Sequence, residues 1–344
     1  MTYFEYGCRA TAIGSMPQTD PSEACAQVVH YLKDIPVWPQ LPNRSFRENM
    51  NAQYSEGFPG LVVNESGVRV DNSQALGKPL EQLYSAYLAN NIEKYPISPD
   101  YAAGLHEFLS LKRFAPLAVK GQITGPITWG LSVTDSNQRA IIYDDTLSDA
   151  AAKFLKLKAA WEERTLRKIA RDTVVFLDEP YLSSYGSSGL VSLSKEKVTS
   201  LLEETLGGIS GLKGIHCCGN TDWPIVLGTS INILSFDAYN YAQSLSLYPN
   251  EVKKFLARKG SGIAWGIVPS EAEALGKESV ASLKDRLEDA LASFTRNGIG
   301  FQQMIIQGLL TPSCGLARLP NSEAAGRALE LLTQLSAMIR KRYL

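Results

Sequence analysis

The sequence predicts a (β/α)8 barrel, a TIM-barrel-like α/β fold in one domain (1–344) with an insertion after the first strands. Three observations predict it. Short apolar runs alternate with longer stretches of helical character, as in a parallel sheet whose strands are joined by crossover helices. Seven such runs are legible, and IPVWPQ (35–40) supplies a plausible eighth ahead of a long loop. No G-x-G-x-x-G follows the first run, which removes the fingerprint of an open dinucleotide-binding sheet. A chain of 344 residues also suits two domains, but a barrel with insertions absorbs that length in one.

In order, the predicted strands are RATAIGS (9–15), PLAVKGQI (116–123), TVVFLDEP (173–180), LKGIHCCG (212–219), NILSFDA (232–238), GIAWGIVP (262–269) and QQMIIQGL (302–309). Predicted helices cover 21–34, 148–171, 195–207, 250–259, 277–297 and 322–342. Residues 41–75 read as an insertion, because LVVNESGVRVDN sets the turn signal NESG between two short β-prone runs and so forms a surface hairpin. Residues 77–105 read as helix and loop over one end of the barrel. Together, 41–105 form an insertion or lid region.

Composition narrows the function. Apolar residues make up 44% and charged residues 20%, ordinary values for a globular protein. The net charge is -1 and no long basic run occurs, so neither nucleic acid nor an anionic membrane has an electrostatic footing. No apolar stretch approaches the roughly 20 residues needed to span a bilayer. The opening MTYFEYGCRA lacks the layout of a secretion signal. Five cysteines do not suggest a disulfide framework, and a reducing cytoplasm is the expected compartment.

The chain has only three histidines, and one of them stands in LKGIHCCGNTDW. His216 and Cys218 are two apart, so on a strand they share a face, whereas Cys217 points to the other side as a core residue. GNTDWP breaks the strand directly after them, which marks its carboxyl end. Cys314 follows the last predicted strand through TPSCG, and Asp237 ends NILSFDA one strand after the His/Cys pair. All four therefore belong to one rim, the end at which barrel enzymes keep their active sites. Two thiolates and an imidazole make a zinc (Zn2+) site with a fourth position open. Asp237 either completes the ligand set or caps the next helix. Trp129, Tyr181, Tyr185, Trp223 and Tyr239 lie near the same rim as candidate lining of a donor pocket, while Trp265 reads as core.

These residues resemble a known family. ATAIGSMPQT (10–19), TGPIT (124–128), FLDEPYL (176–182), the H-x-C and S-C-G-L elements and ILSFDA are similar to segments of the C-terminal, catalytic half of cobalamin-independent methionine synthase. That family lies in the superfamily of uroporphyrinogen decarboxylase and the methylcobalamin:coenzyme M methyltransferases. The resemblance implies zinc on His216, Cys218 and Cys314, with Asp237 where the family places a glutamate. It implies that Ile13 and Ser15 hold the carboxylate of the thiol substrate and that Asp178 binds its amino group, a charge-assisted contact. Glu56, in the insertion, is a further candidate contact to that amine, and Glu179 reads as structural.

Two departures bear on the donor. The long N-terminal half of methionine synthase has no counterpart here. The segment AWGIVPSEAE carries no histidine where the family has one to protonate the leaving folate nitrogen, and His30 and His106 fall in helical segments elsewhere. A folate amine leaves poorly without a general acid. The expectation is therefore a methyltransferase that moves a methyl group to homocysteine, with methylcobalamin, free or on a corrinoid protein, favoured over folate as donor. A coenzyme M-type acceptor is the alternative. A decarboxylase-like enzyme is another, with Arg44 and Arg47 loosely placed to grip propionates. A purely structural zinc is the third.

Overall fold

The structure is a computed structural model that describes residues 5–64, 67–71, 75–112, 114–185 and 193–344. Among them, nine strands and thirteen helices follow in chain order. The first half holds β1 (Arg9–Ala10), α1 (Pro21–Tyr31), β2 (Leu61–Asn64), β3 (Gly67–Val70), α2 (Gly77–Leu88), α3 (Ala103–Ser110), β4 (Ala118–Thr124), α4 (Pro126–Ser132), α5 (Asp145–Leu166) and β5 (Asp172–Asp178). Next come α6 (Lys195–Leu206), β6 (Leu212–Cys217), α7 (Trp223–Gly228), β7 (Ile233–Phe236), α8 (Ala238–Ser246), α9 (Pro249–Leu256) and β8 (Gly262–Val268). The chain closes with α10 (Ala272–Leu275), α11 (Val280–Thr295), α12 (Phe301–Ile306), β9 (Gly308–Pro312) and α13 (Ser322–Tyr343).

Seven strands form one parallel sheet in the order β1-β9-β8-β7-β6-β5-β4. The two edge strands meet a common partner. Lys120 N–H donates to the Pro36 carbonyl at 2.8 Å, and Gln40 N–H donates to the Gly14 carbonyl at 3.0 Å. Val37 bridges Lys120 and Gln40 bridges Ser15, both in parallel sense. IPVWPQ thus runs between the edges, where an eighth strand was expected. It makes isolated bridges because Pro36 and Pro39 have no N–H to give a ladder.

Five of the predicted strands recur with shifted ends. The first is shorter, with only Arg9 and Ala10 in a ladder. The last needs correction. Residues 301–306 are helix, and the strand is 308–312. Phe301, Met304 and Ile305 have helical spacing, with Met304 and Ile305 buried, whereas GLLTP is buried throughout and fits a sheet interior. Cys314 therefore follows its strand more closely than expected.

Side chains from the amino-terminal halves of the strands fill one end of the sheet's concave side. Ala118, Val174, Phe176, Leu212, Ile233, Ala264 and Leu309 join Tyr6 and Ile35 in an apolar cluster of their own. The opposite strand faces share the main core with the helices. From the middle of β4 and toward the carboxyl ends of the other strands, polar residues follow, all buried: Lys120, Gln122, Thr124, Asp178, His216, Ser235 and Thr311.

The insertion divides. β2 and β3 pair antiparallel as the expected hairpin, though residues 65–66 of its turn lie outside the described residues. In residues 77–105, α2 packs on α5 and α3 on α1, and the Tyr101 carbonyl accepts from Gln53 Nε2 at 2.9 Å. Residues 50–54 lie beside the carboxyl half of β4. The Met50 carbonyl accepts from Thr124 Oγ1 at 2.6 Å, and Tyr54 OH bonds the Gln122 carbonyl. Among the described residues no helix is long and apolar enough to cross a membrane.

Candidate metal centre

β6 runs in register between β5 and β7, so Asp178, His216 and Ser235 are lateral neighbours. This places His216 two residues before Cys218, which stands just past the strand end. β9 delivers Cys314 two residues after Pro312. One ligand atom from each of His216, Cys218 and Cys314 lies within 4.8 Å of the other two. His216 Nδ1 shares a hydrogen bond with Ser235 Oγ at 3.0 Å, while its Nε2 is buried with no hydrogen-bond partner. A buried ring nitrogen without a partner is costly, and two sulfurs beside it are the donors a zinc ion takes with imidazole. The three side chains therefore fit a zinc ion. The sulfurs act as a pair. The neighbouring Cys314 sulfur and His216 pull the Cys218 thiol down, and the Cys218 sulfur together with burial pushes the Cys314 thiol up.

Asp237 lies outside this group of three. It is the N-cap of α8: Oδ1 accepts from Asn240 N–H at 2.9 Å and Oδ2 from the Asn240 side-chain amide at 2.7 Å. Burial raises its pKa, while those bonds and the nearby His216 lower it.

Asp178 ends β5 beside the group, and its Oδ1 is buried without a partner. Burial pushes its pKa up to about 6 against the pull of Lys120 and His216. Glu179 is structural, as expected. It accepts from Ile127 N–H at 2.9 Å and Thr128 N–H at 2.7 Å, closing the amino end of α4, and burial raises its pKa to about 7.

Ser15 sits against the loop that carries Cys314. Its carbonyl accepts from Leu316 N–H at 2.8 Å, and a Cβ on Gly315 would stand 2.0 Å from its Oγ, so the two segments meet closely. Ile13 turns its carbonyl to Lys120 Nζ at 2.6 Å. Glu56 is engaged elsewhere, accepting from Ser98 N–H at 3.1 Å. Trp129, Trp223 and Trp265 are fully buried and pack edge-to-face on Phe58, Phe236 and Phe294, which makes them core. Cys217 is likewise buried. Arg44 pairs with Glu48, and Arg47 pairs with Asp100 and covers the Tyr101 ring, so both arginines serve the insertion itself.

The sequence reading missed Lys120 and Ser235. Ser235 lies two residues before Asp237 and so on the same strand face, a signal that was available. Lys120 is a cation inside an otherwise uncharged run, PLAVKGQI, and a charge inside a buried strand asks for a reason.

No protein-family model and no curated protein matches the sequence. Solved structures do match. A B12-independent methionine synthase from Shewanella sp. W3-18-1, in complex with selenomethionine, shares 14% identity over 97% of this chain and 98% of its own, with a TM-score of 0.57. A putative vitamin-B12-independent methionine synthase from Listeria monocytogenes shares 16% identity over 93% of this chain and 86% of its own, with a TM-score of 0.55. The chain has the fold of these methionine synthases. One correction follows. This chain covers nearly all of a structure whose name says B12-independent, so a chain of this extent carries no expectation of a corrinoid donor.

Proposed function

We propose that this protein is a methyltransferase of the methionine synthase type, which methylates the sulfur of homocysteine at a zinc centre held by His216, Cys218 and Cys314. The observation that carries the reading is the buried, partnerless Nε2 of His216 within reach of two cysteine sulfurs at the carboxyl end of a parallel sheet. When bound, the zinc ion lowers the pKa of an acceptor thiol, so that its sulfur is nucleophilic near neutral pH.

The chain's own residues would do the rest. Ser235 holds the His216 ring and fixes which nitrogen is free. The unpartnered Asp178 Oδ1 offers an acceptor for the substrate ammonium. Residues 13–15 lie beside the Cys314 loop and offer polar groups for its carboxylate. Burial of these groups excludes water, which strengthens each contact. Asp237 is read as supporting the rim through α8, with ligation as the alternative. A neighbour solved with selenomethionine agrees with an amino-acid acceptor.

The donor is read as a methylated folate. Both neighbours are named B12-independent, which weighs against the corrinoid that the absent histidine suggested. At the end of β8 the protic group is Ser270, whose Oγ lies 3.2 Å from Ser313 Oγ, next to Cys314. The test combines zinc analysis with transfer assays, offering methyltetrahydrofolate or methylcobalamin to homocysteine or coenzyme M. Stoichiometric zinc, and methionine formed from methyltetrahydrofolate, are expected. Methionine from methylcobalamin alone would reverse the donor assignment, and a zinc-free protein that still makes methionine would overturn the metal centre.

A further inference from the structure

We infer that Lys120 is the positioning residue of the acceptor seat: from inside the sheet its ammonium holds the Ile13 carbonyl and so fixes residues 13–15 against the loop that carries Cys314. This rests on reading 13–15 as the seat for the substrate carboxylate.

Lys120 is fully buried at the middle of β4. Its Nζ donates to the Ile13 carbonyl at 2.6 Å and to Gln122 Oε1 at 3.3 Å, and it stands 4.4 Å from the centre of the Phe176 ring. A buried ammonium is unfavourable unless its hydrogen bonds and charge are met, so a position that needed only volume would carry methionine or leucine. Its pKa falls to about 8 through burial, which still leaves it mostly charged at neutral pH.

Both hydrogen bonds of Lys120 bear on one segment. Gln122, its second partner, packs where a side chain at residue 14 would stand: a Cβ on Gly14 would lie 2.6 Å from the Gln122 amide carbon, and Gly14 has φ +146°. The far end of the segment is held by Leu316 N–H on the Ser15 carbonyl and by the contact of Ser15 with Gly315. Residues 13–15 are thus clamped between a cation on β4 and the residues that follow Cys314. Lys120 lies behind this backbone, so it acts on the substrate through the segment.

The test uses zinc-loaded full-length protein and calorimetric titration with two thiols. L-homocysteine carries a carboxylate for the seat, and 2-mercaptoethanol does not. Lys120→Met should keep its zinc content and bind 2-mercaptoethanol as the wild type does. It should bind homocysteine about 10- to 100-fold more weakly, the scale of one charge-assisted contact. Lys120→Arg, which restores the cation, should recover part of the loss. Equal weakening toward both thiols would reduce Lys120 to a structural role and overturn the inference, as would unchanged homocysteine binding. A wild type that fails to prefer homocysteine over 2-mercaptoethanol would overturn the acceptor reading itself, whatever the variants do. Should Lys120→Met not fold, Lys120→Gln carries the same comparison without the buried charge.

Discussion

Ser235 has one visible task, to accept or give the hydrogen bond at His216 Nδ1. Outer partners of metal-binding histidines fix the ring and its tautomer, and losing one typically weakens metal binding about 10- to 100-fold. Ser235→Ala should therefore lower zinc affinity by that factor in chelator competition, with little change in melting temperature. Unaltered affinity would mean that packing alone orients the ring. The meeting of His216, Cys218 and Cys314 was legible in the sequence because two-residue spacing and a strand break are enough to place them on one rim. Lys120 was not, because its partner is a backbone carbonyl more than a hundred positions away, and carbonyls leave no mark in a sequence.

At the scale of elements, α4 depends on a residue outside it. Glu179, just after β5, accepts the N–H groups of Ile127 and Thr128 and the Thr128 hydroxyl at 2.6 Å. A carboxylate at that end also complements the helix dipole. Glu179→Ala would leave buried donors unmatched and should cost roughly 3 kcal/mol in a denaturant titration. Glu179→Gln, which keeps an acceptor, should cost less. Neighbouring α12 and β9 show where periodicity failed. FQQMIIQGLLTP sets two short apolar runs, MII and LL, on either side of Gln307, and a short apolar run serves helix or strand equally. Only the sheet's demand for a strand beside β8 places the ladder at 308–312.

For the molecule as a whole, the buried charges between α5 and β4 set a pH dependence. Glu162 Oε1 accepts from Trp38 Nε1 at 2.8 Å and Gln122 N–H at 2.9 Å, and burial raises its pKa to about 8. The folded chain thus keeps a proton that the unfolded chain releases above roughly pH 4.5, so this group's contribution to stability declines as pH rises from about 4.5 to 8. Lys120 works in the opposite sense above pH 8. Its depressed pKa means that the unfolded chain holds the extra proton, and stability recovers toward roughly pH 10.5. The melting temperature should fall between pH 5 and 8, and Glu162→Gln should flatten that fall; a slope unchanged in the variant would assign it to other groups. The seven-stranded parallel sheet was largely readable from alternating runs, since each parallel strand is a separate buried segment. The path of IPVWPQ between the sheet's edges was readable only as a position, because its prolines forbid the ladder that defines a strand.

The three proposed ligands also have an order in time. Cys314 leaves the ribosome roughly 5–20 s after Cys218, at ordinary rates of chain growth. Until then a nascent chain offers an ion one imidazole and one sulfur, too few to compete with the cell's other chelators. On the proposed reading, loading would be postponed until the last strand has been synthesised, and a bound ion would mark a chain whose translation has passed through it.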